Sequence, residues 1–393
     1  MRVLKKGLTL GLCMLFGITI SSCSNKKMQV KNCEIIHELE FGGIYIKTTI
    51  EDFNKLGFEY GDSVDIKFSS GYEMKDQPYY NGYYVDAGES LLVGYPGYDY
   101  IKATLNYGDD LWYIAKFKDG DTGTVTVKLN KKKKYLDIQN TMDITYIDDR
   151  DKYEGTDAEF VNFRDVSSNV SVIKPNMIYR SASPCDGKHN RPKYVDRLID
   201  SANIQYIMNL ADTVEKIESY ITKYNLETIA PYFLSLYRNN KFFFTSTNNE
   251  KIVPLAMNMN YKSKEFQQKL AQGFNAMAVS DGPYLIHCLE GKDRTGFVCI
   301  VVEALCGATY QQMVNDYMET YKNYYGITLE KDPLRYRIIK ERNIDAMLRF
   351  LSGDDNVDLE NTNFSNSIKN YLIEGGMTEA NVNSFINKIK ATN

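Results

Sequence analysis

The chain has 393 residues, of which 43% are hydrophobic and 25% are charged, so it is long enough for two or three globular domains with substantial cores. The net charge of −4 argues against a general nucleic-acid binder, which needs a basic face. The 31 tyrosines are interpreted as strand and surface composition, and three scattered histidines without a CxxC pair argue against a zinc site.

The chain begins with the layout of an export signal. A basic start is followed by an apolar run over residues 8–20 and by small residues before Cys23, and the run is short for a membrane span. The ending ISSC resembles the bacterial lipobox, in which the cysteine is acylated after cleavage. The resemblance implies a signal peptide over residues 1–22, palmitate on Cys23, and a protein anchored to the bacterial cell membrane, facing the cell surface or the periplasm. A cleaved signal with an incidental cysteine is the alternative.

The next part of the chain is predicted to be a tether and a small β domain. Residues 23–35 are largely polar, which predicts the tether. Residues 36–145 alternate short apolar runs with Gly, Asn and Asp turns, which predicts an all-β domain. The runs FGGIYIKTTIEDF and GDSVDIKF are similar to the β-rich C-terminal domain of S-adenosylmethionine hydroxide adenosyltransferases. This likeness implies a binding or spacer module, with adenosine-related ligands as one alternative, and no activity is carried over.

A charged segment, residues 147–157, predicts the boundary to a second domain over residues 155–393. Here short apolar runs such as NIQYIMNLA and PYLIHC alternate with longer helical patterns such as EFQQKLAQGFNAMAV. This alternation predicts an α/β domain with a mostly parallel central sheet flanked by helices. TGFVCIVVEALCG predicts an almost wholly apolar helix ending near Gly307, and Thr378 is predicted to cap the last helix.

The stretch HCLEGKDRTGF, residues 287–297, joins the strand PYLIHC to the apolar helix. Loops at the carboxyl ends of parallel strands hold ligands. Backbone N–H groups and the helix N-terminus favour a Cys288 thiolate and cradle a phosphoryl group, two of whose oxygens Arg294 can hold. Gly291 permits a close approach of the backbone to the ligand, and Thr295 can hydrogen-bond the sulfur. The loop therefore predicts attack of Cys288 on phosphorus and a cysteinyl-phosphate that water hydrolyses, without a metal or a cofactor.

The spacing Cys288-x5-Arg294-Thr295, with His287 before it, resembles the active-site motif of the protein tyrosine phosphatase superfamily. The full loop is similar to a bacterial subgroup of secreted phosphatases that act on phosphotyrosine and, in several members, on phosphoserine or phosphoinositides. The likeness runs from about residue 158 to residue 390. It implies a cysteine-dependent protein tyrosine phosphatase. The substrate-binding residues that it implies are Leu289, Glu290, Gly291, Lys292, Thr295 and Gly296.

The general acid that protonates the leaving oxygen is open between two aspartates. Asp293 lies within the loop. Asp212 follows the strand IQYIMNL, where the related subgroup usually reads DLR and this chain has Asn209 in place of the aspartate. A helix-capping role is the alternative for Asp212. Arg164, Asp165 and Arg180 match positions of the family and are interpreted as structural ion-pair residues. His287 is interpreted as a brace that holds the loop by hydrogen bonds rather than as a base.

The charges in the loop bear on the substrate. Glu290 makes the loop less basic than loops suited to highly phosphorylated inositol lipids, so a phosphotyrosine protein is the first predicted partner. A phosphoinositide or dual-specificity substrate is the alternative, and Lys292 either contacts the phosphate or is solvated. A non-catalytic, phosphate-binding surface lipoprotein is the competing class, which the intact Cys288 and Arg294 disfavour.

Overall fold

The residues that the computed structural model describes, 28–143, 147–239 and 251–392, form two sheets, one closed and one open. The predicted signal peptide, residues 1–22, and Cys23 lie outside these ranges. No helix within them combines the length and the apolarity needed to cross a bilayer.

The closed, barrel-like sheet belongs to the β domain, residues 28–143. Its strands are β1 (Gln29–Glu38), β2 (Gly43–Ile46), β3 (Ser63–Phe68), β4 (Glu73–Tyr80), β5 (Ser90–Val93), β6 (Ile101–Leu105) and β7 (Thr124–Lys131). They follow the order β1-β2-β6-β5-β4-β3-β7, and pairing of β1 with β7 closes the sheet around an apolar interior that contains Phe53, Val64 and Trp112.

Two predictions about this domain need correction. β1 begins at Gln29, inside the predicted tether of residues 23–35, because the buried Val30 and Ile35 point inwards while polar residues occupy the solvent face. The domain predicted as all-β over residues 36–145 also contains helices, the first two of which Thr49 and Asp110 cap at their N-termini. The helices are α1 (Ile50–Lys55), α2 (Leu111–Ile114) and α3 (Leu136–Met142).

The open sheet belongs to the α/β domain, which follows the β domain. Its strands are β8 (Arg164–Asp165), β9 (Ile178–Ser181), β10 (Tyr206–Asn209), β11 (Ile252–Pro254) and β12 (Tyr284–His287), in the order β11-β10-β12-β9-β8. The neighbours β11, β10, β12 and β9 pair in parallel, whereas β8 pairs with β9 antiparallel. The short apolar runs of the sequence form the buried centre of this sheet.

Helices cover this sheet. They are α4 (Asp157–Phe160), α5 (Pro192–Ser201), α6 (Val214–Lys223), α7 (Leu226–Ile229), α8 (Pro231–Asn239), α9 (Lys264–Val279), α10 (Asp293–Leu305), α11 (Tyr310–Tyr325), α12 (Pro333–Lys340), α13 (Ala346–Ser352), α14 (Ser365–Gly375) and α15 (Glu379–Ile389). The predicted apolar helix is α10, whose residues from Arg294 onward are all buried, and Gly307 follows it with φ +86°. Thr378 caps α15, as predicted.

The register of the parallel strands fixes where the functional loop lies. Asn209 of β10, His287 of β12 and Ser181 of β9 are aligned partners at the carboxyl ends of their strands. The chain segments that follow these three residues therefore leave the sheet at one edge, and the segment after His287 is in the middle of that edge.

Candidate active site

The loop between β12 and α10, residues 288–292, is suspended from the surrounding scaffold by its carbonyl oxygens. The oxygens of residues 288–291 accept hydrogen bonds of 2.6–3.2 Å. The His287 ring donates to the oxygen of residue 288, the Ser183 amide to that of residue 289 and the Tyr324 hydroxyl to that of residue 290. The oxygen of residue 291 accepts from the side chains of Asn162 and Arg180. In the described chain, the N–H groups of residues 289–292 donate to no acceptor. A row of amides with this arrangement is suited to bind an anion.

Gly291 is required by the packing of the loop against the sheet. Its φ is +65°, and a Cβ at this position would lie 2.2 Å from the carbonyl oxygen of Ser181 on β9. Gly291 was expected to let the backbone approach the ligand closely. The group that it approaches closely in the structure is instead the backbone of strand β9. Gly296 is also constrained, because a Cβ there would lie 2.7 Å from the ring of Tyr317. Gly291 thus lets the loop lie against β9, and Gly296 lets α10 lie against Tyr317 of α11.

Cys288 and Arg294 line one cavity of about 670 Å³, together with Leu289, Glu290, Lys292 and Asp293. Arg294 is held by a bond of 2.9 Å from Nη1 to the carbonyl oxygen of Met257. Arg294 Nε and the Oγ1 of Thr295 are buried and have no hydrogen-bond partner among the described residues, so the predicted bond from Thr295 to the sulfur is not formed. Buried donors that the described protein leaves unpaired are available to a bound anion.

The two candidate acids occupy different environments. Asp293 is the first residue of α10 and lines the cavity, where its Oδ1 accepts a 2.6 Å hydrogen bond from the hydroxyl of Tyr107 in the β domain. Asp212 is buried outside the cavity lining, and its Oδ2 accepts a 3.0 Å bond from Asn209. Burial raises the pKa of Asp212. The capping role considered for Asp212 was wrong, because the side chain of Thr213 caps α6.

The loop also carries a partly buried ion pair. Lys292 Nζ lies 3.1 Å from a carboxylate oxygen of Glu290 and 3.2 Å from the hydroxyl of Tyr325, so Lys292 is not simply solvated. Burial alone would raise the pKa of Glu290, but Lys292, Arg191 and His189 lower it to about 2. Glu290 is therefore ionised at neutral pH and compensates one positive charge in the loop.

The residues interpreted as structural lie behind the loop. Burial lowers the pKa of His287 to about 4, so its ring is neutral at pH 7. Arg164 and Arg180 both bind Asp316 on α11. The ion-pair interpretation was wrong for Asp165, whose carboxylate accepts the backbone amides of Ser167 and Asn176 instead, because it lies at the start of a turn.

The β domain forms the opposite wall of the same cavity, which the sequence analysis missed. Aromatic residues of its turns line that wall: Phe41, Tyr83, Tyr84, Tyr95, Tyr98 and Tyr107. The fully buried Lys102 lies behind them with its ammonium 5.0–5.8 Å from four ring centroids, those of Phe41, Tyr45, Tyr83 and Tyr98. A signal was present, since tyrosines stand beside glycines in the turns NGYYV, GYPGYDY and NYGDD and not only in strands.

Within the described ranges, no cluster of His, Cys, Asp and Glu is arranged to hold a metal ion. A search of curated proteins matched none of them. A family model described as the tyrosine phosphatase family matches residues 157–389, which is more than half of the chain and includes the whole loop. The chain therefore belongs to the tyrosine phosphatase family.

Proposed function

We propose that the protein hydrolyses phosphate monoesters through a cysteinyl-phosphate intermediate. The Cys288 thiolate attacks phosphorus, an S–P bond forms, and the bond from phosphorus to the leaving oxygen breaks. Asp293 gives its proton to that oxygen. Water then attacks the phosphorus of the intermediate and releases phosphate and the thiolate, while Asp293 recovers a proton from the water.

The observation that carries this proposal is the arrangement of the loop around Cys288. Four consecutive carbonyl oxygens are bound to the scaffold, and the amides of residues 289–292 are unpaired in the described chain. Arg294 lines the same cavity. Because these donors are fixed before substrate binds, they can stabilise the charge of a phosphoryl group in the transition state without reorganising.

We propose phosphotyrosine as the preferred substrate, as in the bacterial subgroup of phosphatases that the loop resembles. The cavity is walled by aromatic rings, which favour contact with a phenyl group. Its charged lining contains Lys188, Lys292 and Arg294 but also acidic side chains: Asp143, Asp148, Glu290 and Asp293. This balance does not suit a headgroup with several phosphates, which needs an excess of cations.

The test is hydrolysis of p-nitrophenyl phosphate and of a phosphotyrosine peptide by the purified protein under reducing conditions. Cys288→Ser should be inactive on both substrates, because the hydroxyl is a far weaker nucleophile than the thiolate. Cys306→Ser is the matched control, since Cys306 is also buried but lies beyond the other end of α10. A folded wild-type protein that is inactive on both substrates and on a phosphoinositide panel would support the competing class, a non-catalytic phosphate-binding protein. Activity on the phosphoinositides alone would replace the proposed substrate.

The assignment of the acid has its own test. Asp293→Asn should lower kcat on phenyl phosphate by about 10²- to 10⁴-fold, the usual contribution of a general acid. On 2,4-dinitrophenyl phosphate, whose leaving group needs no proton, kcat/KM should change little, because kcat/KM does not include the later hydrolysis step in which Asp293 takes a proton from water. Asp212→Asn should not show this dependence on the leaving group. The opposite pattern would move the role to Asp212.

We also propose that the protein is exported and anchored to the bacterial cell membrane through acylated Cys23. The basic start, the apolar run and the lipobox-like ISSC support this proposal. Full-length protein expressed in a bacterium with labelled palmitate should carry the label in the membrane fraction, and Cys23→Ala should not. Equal labelling of the two proteins would argue against it.

A further inference from the structure

The β domain and the α/β domain are joined beside the active-site cavity. Arg342, between α12 and α13, donates to the carbonyl oxygen of Tyr84 at 2.6 Å. Asn260 donates to Asp109 at 2.7 Å. These contacts bring the turn after β6, which contains Tyr107, against the start of α10.

The turn that carries Tyr107 is held in an uncommon conformation. Tyr107 has φ +47°, a left-handed conformation that is costly for a bulky residue and persists only where the surroundings hold it. The preceding residue, the buried Asn106, supplies the anchor. Its side chain donates to the carbonyl oxygen of Val85 at 2.7 Å, and its own carbonyl oxygen accepts the amide of Gly88 at 2.6 Å. The backbone next to Tyr107 is thus held within the β domain, and the Tyr107 hydroxyl is bound to Asp293.

The hydrogen bond from Tyr107 to Asp293 has a defined direction. Burial and the neighbouring Asp293 raise the pKa of Tyr107 well above its ordinary value, so the hydroxyl stays protonated and donates a hydrogen bond to Oδ1. Oδ2 is therefore the carboxyl oxygen that does not accept this hydrogen bond. Lys292 Nζ lies 3.8 Å from Oδ2.

We propose that Tyr107 is a positioning residue for the general acid, and that the β domain in this way completes the active site of the α/β domain. The proposal rests on the proposed function, in which Asp293 protonates the leaving oxygen. Tyr107 holds the plane of the Asp293 carboxyl group and reserves Oδ2 for the proton, so the acid meets the leaving oxygen in one orientation. Fixed orientation of a reacting group is a recognised part of the rate that an active site supplies.

The experiment compares Tyr107→Phe with wild type in the full chain, on phenyl phosphate and on 2,4-dinitrophenyl phosphate. Removing the hydroxyl while keeping the ring should lower kcat on phenyl phosphate by about tenfold, a part of the 10²- to 10⁴-fold supplied by a general acid. KM on phenyl phosphate should be unchanged, as should kcat/KM on 2,4-dinitrophenyl phosphate, which does not include hydrolysis of the intermediate. Tyr113→Phe is the matched control. The hydroxyl of Tyr113, like that of Tyr107, binds an aspartate at 2.6 Å, but this aspartate is Asp119 of the β domain and the pair lies outside the cavity.

A double variant separates this role from a structural one. In Asp293→Asn, the further change Tyr107→Phe should cause no additional loss on phenyl phosphate, because both changes remove the same step. An equal loss on both substrates, no loss on either, or additive losses in the double variant would each overturn the role of Tyr107. If Asp293→Asn shows the dependence on the leaving group and Tyr107→Phe does not, only this inference fails. If Asp293→Asn lacks that dependence, the assignment of the acid fails and this inference with it.

Discussion

Arg180 and Asp316 form a fully buried ion pair, in which Nη1 lies 2.6 Å from Oδ2, directly behind the active-site loop. The same guanidinium donates from Nη2 to the carbonyl oxygen of Gly291 at 2.9 Å. The other carboxylate oxygen of Asp316 accepts a 2.8 Å bond from Arg164. One carboxylate on α11 therefore holds two arginines, and one of them holds the loop.

Asp316→Asn should destabilise the fold. The change leaves two arginines without their counter-charge, and removal of one partner from a buried pair typically costs about 3–5 kcal/mol in the free energy of unfolding. Glu319 on the same helix pairs with Lys322 near the surface, so Glu319→Gln should change stability by less than about 0.5 kcal/mol. Urea unfolding of both variants checks this, and equal midpoints for the two would contradict it.

Gly291→Ala should lose both stability and activity. The alanine Cβ would overlap the backbone of Ser181, which belongs to a central strand and has no room to move. Gly326→Ala is a close control, since Gly326 has φ +66° but nothing within 4 Å of the added atom. The control should show only the cost of the left-handed conformation, about 1–2 kcal/mol, with activity kept. Thermal unfolding and hydrolysis assays distinguish the two, and the same result for both would show that the contact with Ser181 is unimportant.

His287 should contribute to loss of stability in acid. Its pKa is about 4 in the folded protein and about 6.5 unfolded, so between these values the unfolded chain binds more protons. Stability should therefore fall as the pH is lowered from about 6.5 to about 4, by at most about 1.4 kcal/mol per pH unit from this group. In His287→Gln the curve of unfolding free energy against pH should be flatter over that interval. A variant curve parallel to that of wild type would refute the assignment.

Glu303, unlike His287, should contribute to loss of stability as the pH rises. This carboxyl on α10 is fully buried, and burial together with the nearby Asp316 raises its pKa well above the ordinary value. Above about pH 4.5 the unfolded chain loses a proton that the folded protein keeps, so stability from this group falls as the pH rises. The neutral Glu303→Gln removes that fall. Its unfolding free energy relative to wild type should therefore increase from pH 4 to pH 8, and a pH-independent difference would contradict the prediction.

Much of the α/β domain could be predicted from consecutive residues. The strand ending at His287, the loop and the apolar helix α10 follow one another along the chain, and the spacing of Cys288 and Arg294 is itself local. The cap at Thr378 was equally local. Hydrophobic periodicity and loop spacing are properties of short segments, so the position of the cysteine loop was determined by the sequence alone, and the chemistry proposed for it rests on the same local pattern.

Other features depended on contacts between distant parts of the chain. The sequence left Asp293 and Asp212 as alternatives, and only packing shows that the first lines the cavity with Cys288 while the second is buried with Asn209. Tyr107 reaches Asp293 across 186 positions, and no local pattern encodes such a pair. The sequence by itself thus determined which loop could carry the chemistry, because that loop is built from neighbouring residues. The tertiary structure alone decided that a second domain walls the cavity and binds Asp293, the proposed acid, because those contacts form only when the two domains pack together.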